Sequence, residues 1–311
     1  MDFLYFLEGL RNPVCDVLFS FITLLGEETA FMALGMIMFW CISKYQGYFL
    51  LCTGFIGTLI NQTLKMAFRI PRPWVKDPSF TIVESAREAA TGYSFPSGHT
   101  QVSVGLFGGL ARWNKHRWLR IAMITLCVLV PLSRMYLGVH TPADVLVSVG
   151  IALILVFGLY PVFKRVDHSP RAMYIVLGAI TLMTIGFACF VCLCSFPEST
   201  YLNENIHNLI SARETAFTLL GCMAGLILTY FVDTKYTKFD TRAVWWAQII
   251  KVAVGLGLIL LTKEGLKAPL NTLFSGHLIA RSIRYFLVVV VGGVLWPMTF
   301  KLFAKLGKNN K

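Results

Sequence analysis

Three polar clusters stand at the ends of apolar runs in this sequence: KMAFRIPRP at residues 65–73, PSGH at 96–99 and SRMYLGVHTPAD at 133–144. The motif positions within these stretches supply the three fixed cations Lys65, Arg72 and Arg134, together with two imidazoles, one carboxylate and a Ser-Gly turn. Unpaired charge is costly beside hydrophobic segments and is therefore commonly functional there. The stretch from Lys65 to Asp144 thus predicts a site around which the rest of the chain is organised.

The composition predicts a membrane protein. The chain has 311 residues that are 56% hydrophobic and only 14% charged, which is too apolar for a soluble domain of this length. The net charge of +12 would suggest a nucleic-acid partner in a soluble protein, but here the basic residues lie between apolar runs. Such placement is typical of orientation signals in membrane proteins. We therefore expect a membrane and no nucleic acid as partner, and the oligomeric state is left open.

Apolar runs of about 20 residues predict an all-α, polytopic membrane protein with about nine transmembrane helices. The predicted spans lie near residues 27–43, 47–67, 99–114, 118–138, 143–163, 172–195, 214–232, 243–262 and 282–303. Residues 3–25 form an amphipathic stretch broken at Asn12 and Pro13, which we interpret as an interfacial helix.

The loop charges predict the orientation. With nine spans, the basic loops and the basic C-terminal tail all fall on one side of the membrane. The positive-inside rule makes that side cytoplasmic. The three polar clusters then lie on the opposite side, so we expect the site to face the periplasm, the extracellular space or a lumen.

Local signals predict how the clusters are held. Residues Thr141 to Asp144 read as an N-cap residue, a proline at the first helical position and an acid at the third, so a helix should begin directly after His140. Ser97 and Gly98 precede an unbroken apolar run, which places free backbone N–H groups where an anion is favoured. The loop of residues 74–94 has no clear period, and it is either a partly helical flap over the site or a solvated connector.

The clusters contain the groups that phosphoryl transfer requires. This reaction needs positive charge on the non-bridging oxygens, a nucleophile in line with the leaving group and an acid that protonates what leaves. The candidate phosphate-binding residues are Lys65, Arg72, Ser97, Gly98 and Arg134. No clustered carboxylates suggest a metal site, and the three cations would repel a metal ion. We therefore expect neither a metal nor another cofactor.

Two histidines and one aspartate are the candidate catalytic residues. A neutral imidazole can attack phosphorus and form a phosphohistidine, while a second imidazole protonates the departing alcohol and then activates water. Asp144 follows His140 by four residues and can hold its ring in the required tautomer. We therefore assign His140 as the nucleophile, Asp144 as the orienting carboxylate and His99 as the general acid.

These clusters resemble the site of the type 2 phosphatidate phosphatases, or lipid phosphate phosphatases, which is shared with vanadium haloperoxidases and glucose-6-phosphatase. The family pattern Lys-x6-Arg-Pro, Pro-Ser-Gly-His and Ser-Arg-x5-His-x3-Asp is met without a departure, within a region of about residues 27–163. The resemblance implies the same roles for His140, Asp144 and His99. It implies phosphate contacts for Lys65, Arg72, Ser97, Gly98 and Arg134.

The resemblance implies a membrane-embedded, metal-independent phosphatase that removes a terminal phosphate from a lipid phosphate through a phosphohistidine. It implies a six-helix phosphatase-type core within residues 1–170, with residues 171–311 as additional transmembrane helices that match no motif. Candidate substrates are phosphatidate, phosphatidylglycerophosphate, a polyprenyl pyrophosphate and a sphingoid-base phosphate. Two alternatives stay open: a phosphatase for a soluble phosphoester such as a sugar phosphate, and a transporter that binds phosphate or lipid without cleaving it.

Overall fold

A computed structural model describes residues 1–88, 90–166, 169–195 and 202–306, and within these ranges the chain forms helices and loops without a strand. The all-α prediction is therefore confirmed. The helices are α1 (Asp2–Gly9), α2 (Pro13–Leu24), α3 (Glu28–Ile37), α4 (Lys44–Phe68), α5 (Pro73–Lys76), α6 (Gly98–Trp113), α7 (Arg117–Tyr136), α8 (Pro142–Val166), α9 (Pro170–Leu193), α10 (Leu202–Val232), α11 (Trp245–Gly265), α12 (Lys267–Leu273), α13 (Ile279–Val290), α14 (Trp296–Met298) and α15 (Phe300–Leu306). Short π-helical turns continue α3, α10 and α13 at Met38–Ile42, Asp233–Thr237 and Val291–Leu295, and Glu84–Ala86 form a 3₁₀ turn.

Among the residues that the structure describes, six helical segments are long and apolar enough to cross a membrane: Arg117–Tyr136, Pro142–Val166, Pro170–Leu193, Asn205–Thr237, Trp245–Leu273 and Ile279–Ala304. A seventh candidate is the pair Pro13–Leu24 and Glu28–Ile42, which is bent by 48°. The helices α4 and α6 coincide with two further predicted spans. However, α6 has only 16 residues, and α4 carries Asn61, Gln62 and Lys65 near its end. The predicted count of nine spans therefore stays a prediction.

The described chain divides into two compact units that interleave along the sequence. The first unit comprises Met1–Met32, Phe49–Lys164 and Ser195–Ala212. The second comprises Ala33–Tyr48, Arg165–Cys194 and Arg213–Lys311. All three polar clusters belong to the first unit. The predicted division at residue 170 is not tested by this partition and stays a prediction.

In the first unit, α7 is the helix on which α6, α2 and α1 pack. The break between α1 and α2 falls where the sequence predicted it, because the Asn12 side chain caps α2 by accepting a hydrogen bond from the Cys15 amide at 3.0 Å. His140 lies in the link between the end of α7 and the start of α8.

Within the first unit, the described residues of the loop 74–94 form a flap that packs against α1 and the end of α7. Its side chains Phe80, Ile82 and Ala86 are buried, in clusters that include Leu4 of α1 and Leu137 after α7. The Val83 amide donates to the Leu137 carbonyl at 3.1 Å. The interpretation as a solvated connector is therefore wrong, because the apolar side chains of this loop are buried against α1 and the end of α7.

The second unit is organised around α11, which packs on α12, α13 and the π-helical turns that follow α3 and α13. The Trp40 indole donates to the Gly292 carbonyl at 2.9 Å. At the start of α4, the Lys44 ammonium pairs with Asp233 at 2.7 Å and lies 3.8 Å from the centre of the Phe239 ring. The Lys44 ammonium is thus held by other groups of the same unit.

Candidate active site

The helix α8 begins with the capping box that the sequence predicted. The Asp144 carboxylate accepts a hydrogen bond from the Thr141 amide at 2.7 Å, and the Thr141 hydroxyl accepts one from the Asp144 amide at 3.3 Å. The Ser94 hydroxyl donates to the same carboxylate oxygen at 2.6 Å. Asp144 is therefore fixed by three hydrogen bonds, and His140 lies directly before the first turn of α8.

The environment of His140 defines which ring nitrogen carries the proton. Its Nε2 lies 3.0 Å from Nη1 of Arg72. A guanidinium can only donate, so Nε2 must accept and Nδ1 carries the proton. Nδ1 lies 3.5 Å from Oδ2 of Asp144, at the limit of hydrogen-bond distance and without the alignment of a hydrogen bond. The lone pair of Nε2 therefore faces the cations, and the protonated nitrogen faces the carboxylate.

His140 is almost completely enclosed, with 1% of its surface exposed. Burial lowers the pKa of His140 well below its usual range, and the charges of Arg72, Arg134 and Lys65 lower it further. The imidazole is therefore neutral at neutral pH, which is the state that an attacking nitrogen requires.

The flap backbone holds two of the three predicted phosphate-binding cations. The Arg72 guanidinium donates to the carbonyls of Thr91 at 2.6 Å, Gly92 at 3.0 Å and Val139 at 2.9 Å. The Lys65 ammonium donates to the Thr91 carbonyl at 3.4 Å. Both cations are buried. The residues that connect the first and second motifs in sequence therefore also fix the cations of the first motif.

Arg134 is the third cation and is completely buried. Its Nη1 donates to the Thr23 hydroxyl at 2.7 Å. Within the described ranges, its Nε and Nη2 have no hydrogen-bond partner, nor does the buried Nε2 of His99. A buried polar group without a partner costs about 1–3 kcal/mol. These atoms are therefore available to the oxygens of a bound phosphate.

The second motif forms the start of α6, as predicted. Ser97 is the N-cap residue, and its hydroxyl accepts from the Thr100 amide at 3.4 Å. The Ser97 amide donates to the Asp144 carbonyl at 3.2 Å, so the first turns of α6 and α8 lie together. Gly98 is the first residue of α6, where the amide groups have no partner in their own helix. Two helix N-termini thus meet at the site, which favours an anion there.

All eight predicted residues lie in the first unit, and direct contacts link His140 to Arg72, Asp144 to Ser97, and Lys65 to the carbonyl that Arg72 also uses. Sequence analysis missed three residues that support them. These are Thr23 on Arg134, Ser94 on Asp144, and Asn61, whose amide donates to the Pro96 carbonyl at 3.3 Å. Thr23 and Ser94 carried no local signal, since each is a single polar residue in an apolar helix or an irregular loop, and Asn61 stands in a polar stretch of α4 that matches no motif.

The residues that the structure describes contain no group of three or more His, Cys, Asp or Glu side chains that could hold a metal ion. The three cysteines Cys189, Cys192 and Cys194 are therefore not gathered into such a group either.

Family models match two regions of the chain. The PAP2 superfamily model matches residues 45–167, which contain all eight predicted site residues. A second model, described as the PAP2 superfamily phosphatase transmembrane extension, matches residues 217–309. No solved structure matches the chain.

Curated relatives carry phosphatase names. The chain is 25% identical to human sphingosine-1-phosphate phosphatase 2, over 82% of this chain and 65% of the relative, so it spans less than two thirds of that protein. It is 30% identical to undecaprenyl-diphosphatase BcrC of Bacillus subtilis (strain 168), over 47% of this chain and 74% of the relative. It is 29% identical to phosphatidylglycerophosphatase B of the same bacterium, over 48% of this chain and 75% of the relative. With the complete motif set in the matched region, the chain belongs to the PAP2 superfamily.

Proposed function

We propose that this protein is a membrane-embedded phosphatase that hydrolyses the terminal phosphate of a lipid phosphate through a phosphohistidine at His140. The observation that carries the proposal is the geometry of His140. Its Nε2 lone pair points toward Arg72 at 3.0 Å, and its protonated Nδ1 faces Asp144 at 3.5 Å. A site that only bound phosphate would not need a buried, neutral imidazole with an orienting carboxylate.

In the first step, Nε2 of His140 attacks phosphorus and the bond from phosphorus to the lipid oxygen breaks. The Arg72 guanidinium, which donates to Nε2 in the free site, would turn its N–H toward a phosphate oxygen when the substrate enters. His99 gives its proton to the departing lipid oxygen, which leaves as an alcohol. Asp144 stabilises the positive charge that develops on the His140 ring.

In the second step, water attacks the phosphohistidine and the bond from nitrogen to phosphorus breaks. His99, now neutral, takes the proton of this water, and inorganic phosphate leaves. In both steps the charge on the phosphoryl oxygens is stabilised by the phosphate-binding residues Lys65, Arg72, Ser97, Gly98 and Arg134. Because these groups already supply the positive charge, the reaction needs no metal and no cofactor.

A lipid is the substrate class that the family and the setting support. The relatives above are named for sphingosine 1-phosphate, undecaprenyl diphosphate and phosphatidylglycerophosphate. All three names describe a terminal phosphate on an apolar tail, and the apolar spans of this chain set the protein in the bilayer that holds such a tail.

The same proposal includes the topology. About nine spans, with a six-helix phosphatase-type core in residues 1–170 and further spans in 171–311, place the site outside the cytoplasm and the C-terminus inside it. The positive-inside rule supports this orientation. Single cysteines at Ser85 and at Asp240, both exposed positions, in a background without reactive thiols, test it in intact cells. An impermeant maleimide should label position 85 and spare position 240, and the opposite result would invert the topology.

Phosphate release by the purified full chain tests the function. The panel contains a sphingoid-base phosphate, phosphatidate, phosphatidylglycerophosphate, a polyprenyl diphosphate and glucose 6-phosphate, each with and without a chelator. We expect His140→Ala to reduce turnover of the lipid substrates at least roughly 10³-fold, and His116→Ala, a change of an exposed histidine, to have no effect.

Three results would contradict the proposal. Equal turnover by His140→Ala and the unmodified protein would show that His140 is not the nucleophile. Reversible loss of activity with the chelator would contradict the metal-independent mechanism. Hydrolysis of glucose 6-phosphate alone would assign the soluble-phosphoester alternative.

A further inference from the structure

The turn between α2 and α3 contacts the candidate active site although it lies outside the family-matched region. The turn itself comprises Leu25, Gly26 and Glu27, and Thr23 lies just before it, in the last turn of α2. The PAP2 match begins at residue 45. The sequence motifs therefore assign no role to this segment, which we call the α2–α3 corner and define as residues 23–27.

The first contact joins Thr23 to Arg134. Thr23 is 6% exposed, and its hydroxyl accepts a hydrogen bond from Nη1 of Arg134 at 2.7 Å across 111 positions of sequence. A hydrogen bond to a charged group is about twice as strong as one between neutral groups. It therefore fixes the rotation of the guanidinium plane.

The second contact joins Gly26 to His99. A Cβ added at Gly26 would lie 2.8 Å from a methyl group of Val130, 3.1 Å from the carbonyl oxygen of His99 and 3.2 Å from its Cβ. These distances are shorter than ordinary van der Waals contact, so the corner lies directly against the backbone of His99. One short segment thus touches both the candidate general acid and a candidate phosphate ligand.

The hydrogen bond to Thr23 decides which edge of Arg134 faces the site. In a guanidinium, the N–H of Nε and one N–H of Nη2 point the same way and form a two-pronged edge that fits two oxygens of one phosphate. Thr23 occupies the opposite nitrogen, Nη1. In the part of the chain that the structure describes, the two buried nitrogens of the fork, Nε and Nη2, have no partner.

We propose that Thr23 is a positioning residue that holds Arg134 so that its Nε and Nη2 grip two oxygens of the transferring phosphoryl group. This inference rests on the proposed function, because it assigns the fork to the phosphate that His140 attacks. The grip is strongest on the five-coordinate phosphorus of the transition state, and Thr23 therefore affects turnover more than substrate binding.

The test compares three threonine variants of the full chain in detergent. Thr23→Val removes the hydroxyl and keeps the shape, while Thr23→Ser keeps the hydroxyl. The matched control is Thr53→Val, which removes a buried hydroxyl that donates only to the Phe49 carbonyl of its own helix. We expect Thr23→Val to lower kcat about tenfold with little change in KM, Thr23→Ser to restore most of it and Thr53→Val to leave it unchanged.

A double-mutant cycle separates positioning from a general structural role. In an Arg134→Ala background, Thr23→Val should cause no further loss, since the group that it positions is gone. Vanadate, which mimics five-coordinate phosphorus, should inhibit Thr23→Val about tenfold more weakly than the unmodified protein. An additive loss in the double variant, or equal vanadate inhibition, would overturn the positioning role.

The outcome is also distinguishable from a failure of the proposed function. Protection of the folded protein against heat by vanadate does not require turnover. If no lipid phosphate is hydrolysed but vanadate protection falls in both Thr23→Val and Arg134→Ala, the fork binds an anion and the phosphatase assignment fails. If hydrolysis is normal and Thr23→Val behaves like Thr53→Val, the function stands and the positioning role is wrong.

Discussion

Each of the two compact units buries one cation completely, and the two cations differ in what surrounds them. In the second unit, the Lys251 ammonium donates to the carbonyls of Trp40 at 2.9 Å and Thr241 at 3.1 Å, and it lies 4.2 Å from the centre of the Phe300 ring. In the first unit, two nitrogens of Arg134 have no partner among the described residues. Lys251 therefore joins segments of the fold, whereas Arg134 keeps two donors without a partner, as expected of the proposed phosphate-binding residue.

This difference shows how burial alone misleads about function. Both side chains are 0% exposed, and burying a charge is unfavourable unless its hydrogen bonds are made. A satisfied cation recovers this free energy within the protein. A cation with free donors recovers it only when an anion binds, so the folded protein without ligand is less stable than it could be.

The largest expected effect is that of Arg134→Met on turnover. The change keeps most of the volume and removes the fork, so kcat should fall roughly 10²- to 10³-fold, as when a transition-state donor is lost. The free energy of unfolding should stay the same or rise, because the unpaired buried charge is gone. Kinetics and thermal unfolding on the same preparation measure both, and a large loss of stability would make Arg134 a structural residue like Lys251.

The next effect is that of Lys251→Met, the same exchange in the second unit. It takes away the Lys251 donor from the Trp40 and Thr241 carbonyls, and the Thr241 carbonyl keeps the Gln248 amide as a side-chain donor, at 2.8 Å. We expect the free energy of unfolding to fall by about 3 kcal/mol, while kcat of the folded fraction does not change. A loss of kcat without a loss of stability would reverse the assignment of the two cations.

A smaller effect concerns pH and His140. Its pKa is lowered in the folded protein, so below about pH 6.5 the unfolded chain binds a proton that the folded chain excludes. Stability contributed by this group is thus complete above pH 6.5 and decreases as the pH falls toward the lower folded pKa. Stability should therefore fall between pH 7 and pH 5. His140→Asn should lack this pH-dependent component, and identical pH profiles of the two proteins would contradict it.

The site could be predicted from the sequence where its determinants are local. The start of α8 followed from Thr141 to Asp144, because a capping box is made within four residues. Arg72 and His140 came into one prediction for a different reason, since their motifs occur together in the family that the sequence resembles, and the structure places them in contact across 68 positions. In these cases the residue types themselves, charged groups beside apolar runs, carried the signal.

The rest of the site could not be predicted because its contacts are long-range and its residues ordinary. Thr23 is one hydroxyl in an apolar segment, and only the packing of α2 on α7 brings it to Arg134. The sequence left the loop of residues 74–94 open between a flap and a solvated connector, because its charges conceal Phe80 and Ile82, which are buried against other segments of the chain. The number of spans is also uncertain from apolarity alone, since α4 carries the polar residues that serve the site.

The smallest expected effect concerns Arg11, which ties the flap to the link that leads to His140. Its guanidinium donates to the Tyr136 carbonyl at 3.0 Å and the Thr81 carbonyl at 2.9 Å. The flap carbonyls hold the cations of the first motif, so Arg11→Ala should make the positions of Lys65 and Arg72 less fixed. We expect KM to rise by roughly three- to tenfold, which corresponds to the loss of one or two hydrogen bonds. Amide hydrogen exchange in residues 79–94 should become faster.

The matched control is Arg87→Ala, which breaks a pair with Glu84 on the exposed surface of the same flap. Exposed ion pairs contribute little to stability, so this variant should leave both KM and exchange unchanged. Faster exchange in both variants would mean that any lost charge loosens the flap. Unchanged exchange in both would mean that the apolar side chains Phe80 and Ile82 hold the flap without Arg11. The comparison of a cation with partners and a cation without them would then rest on Lys251 and Arg134 alone.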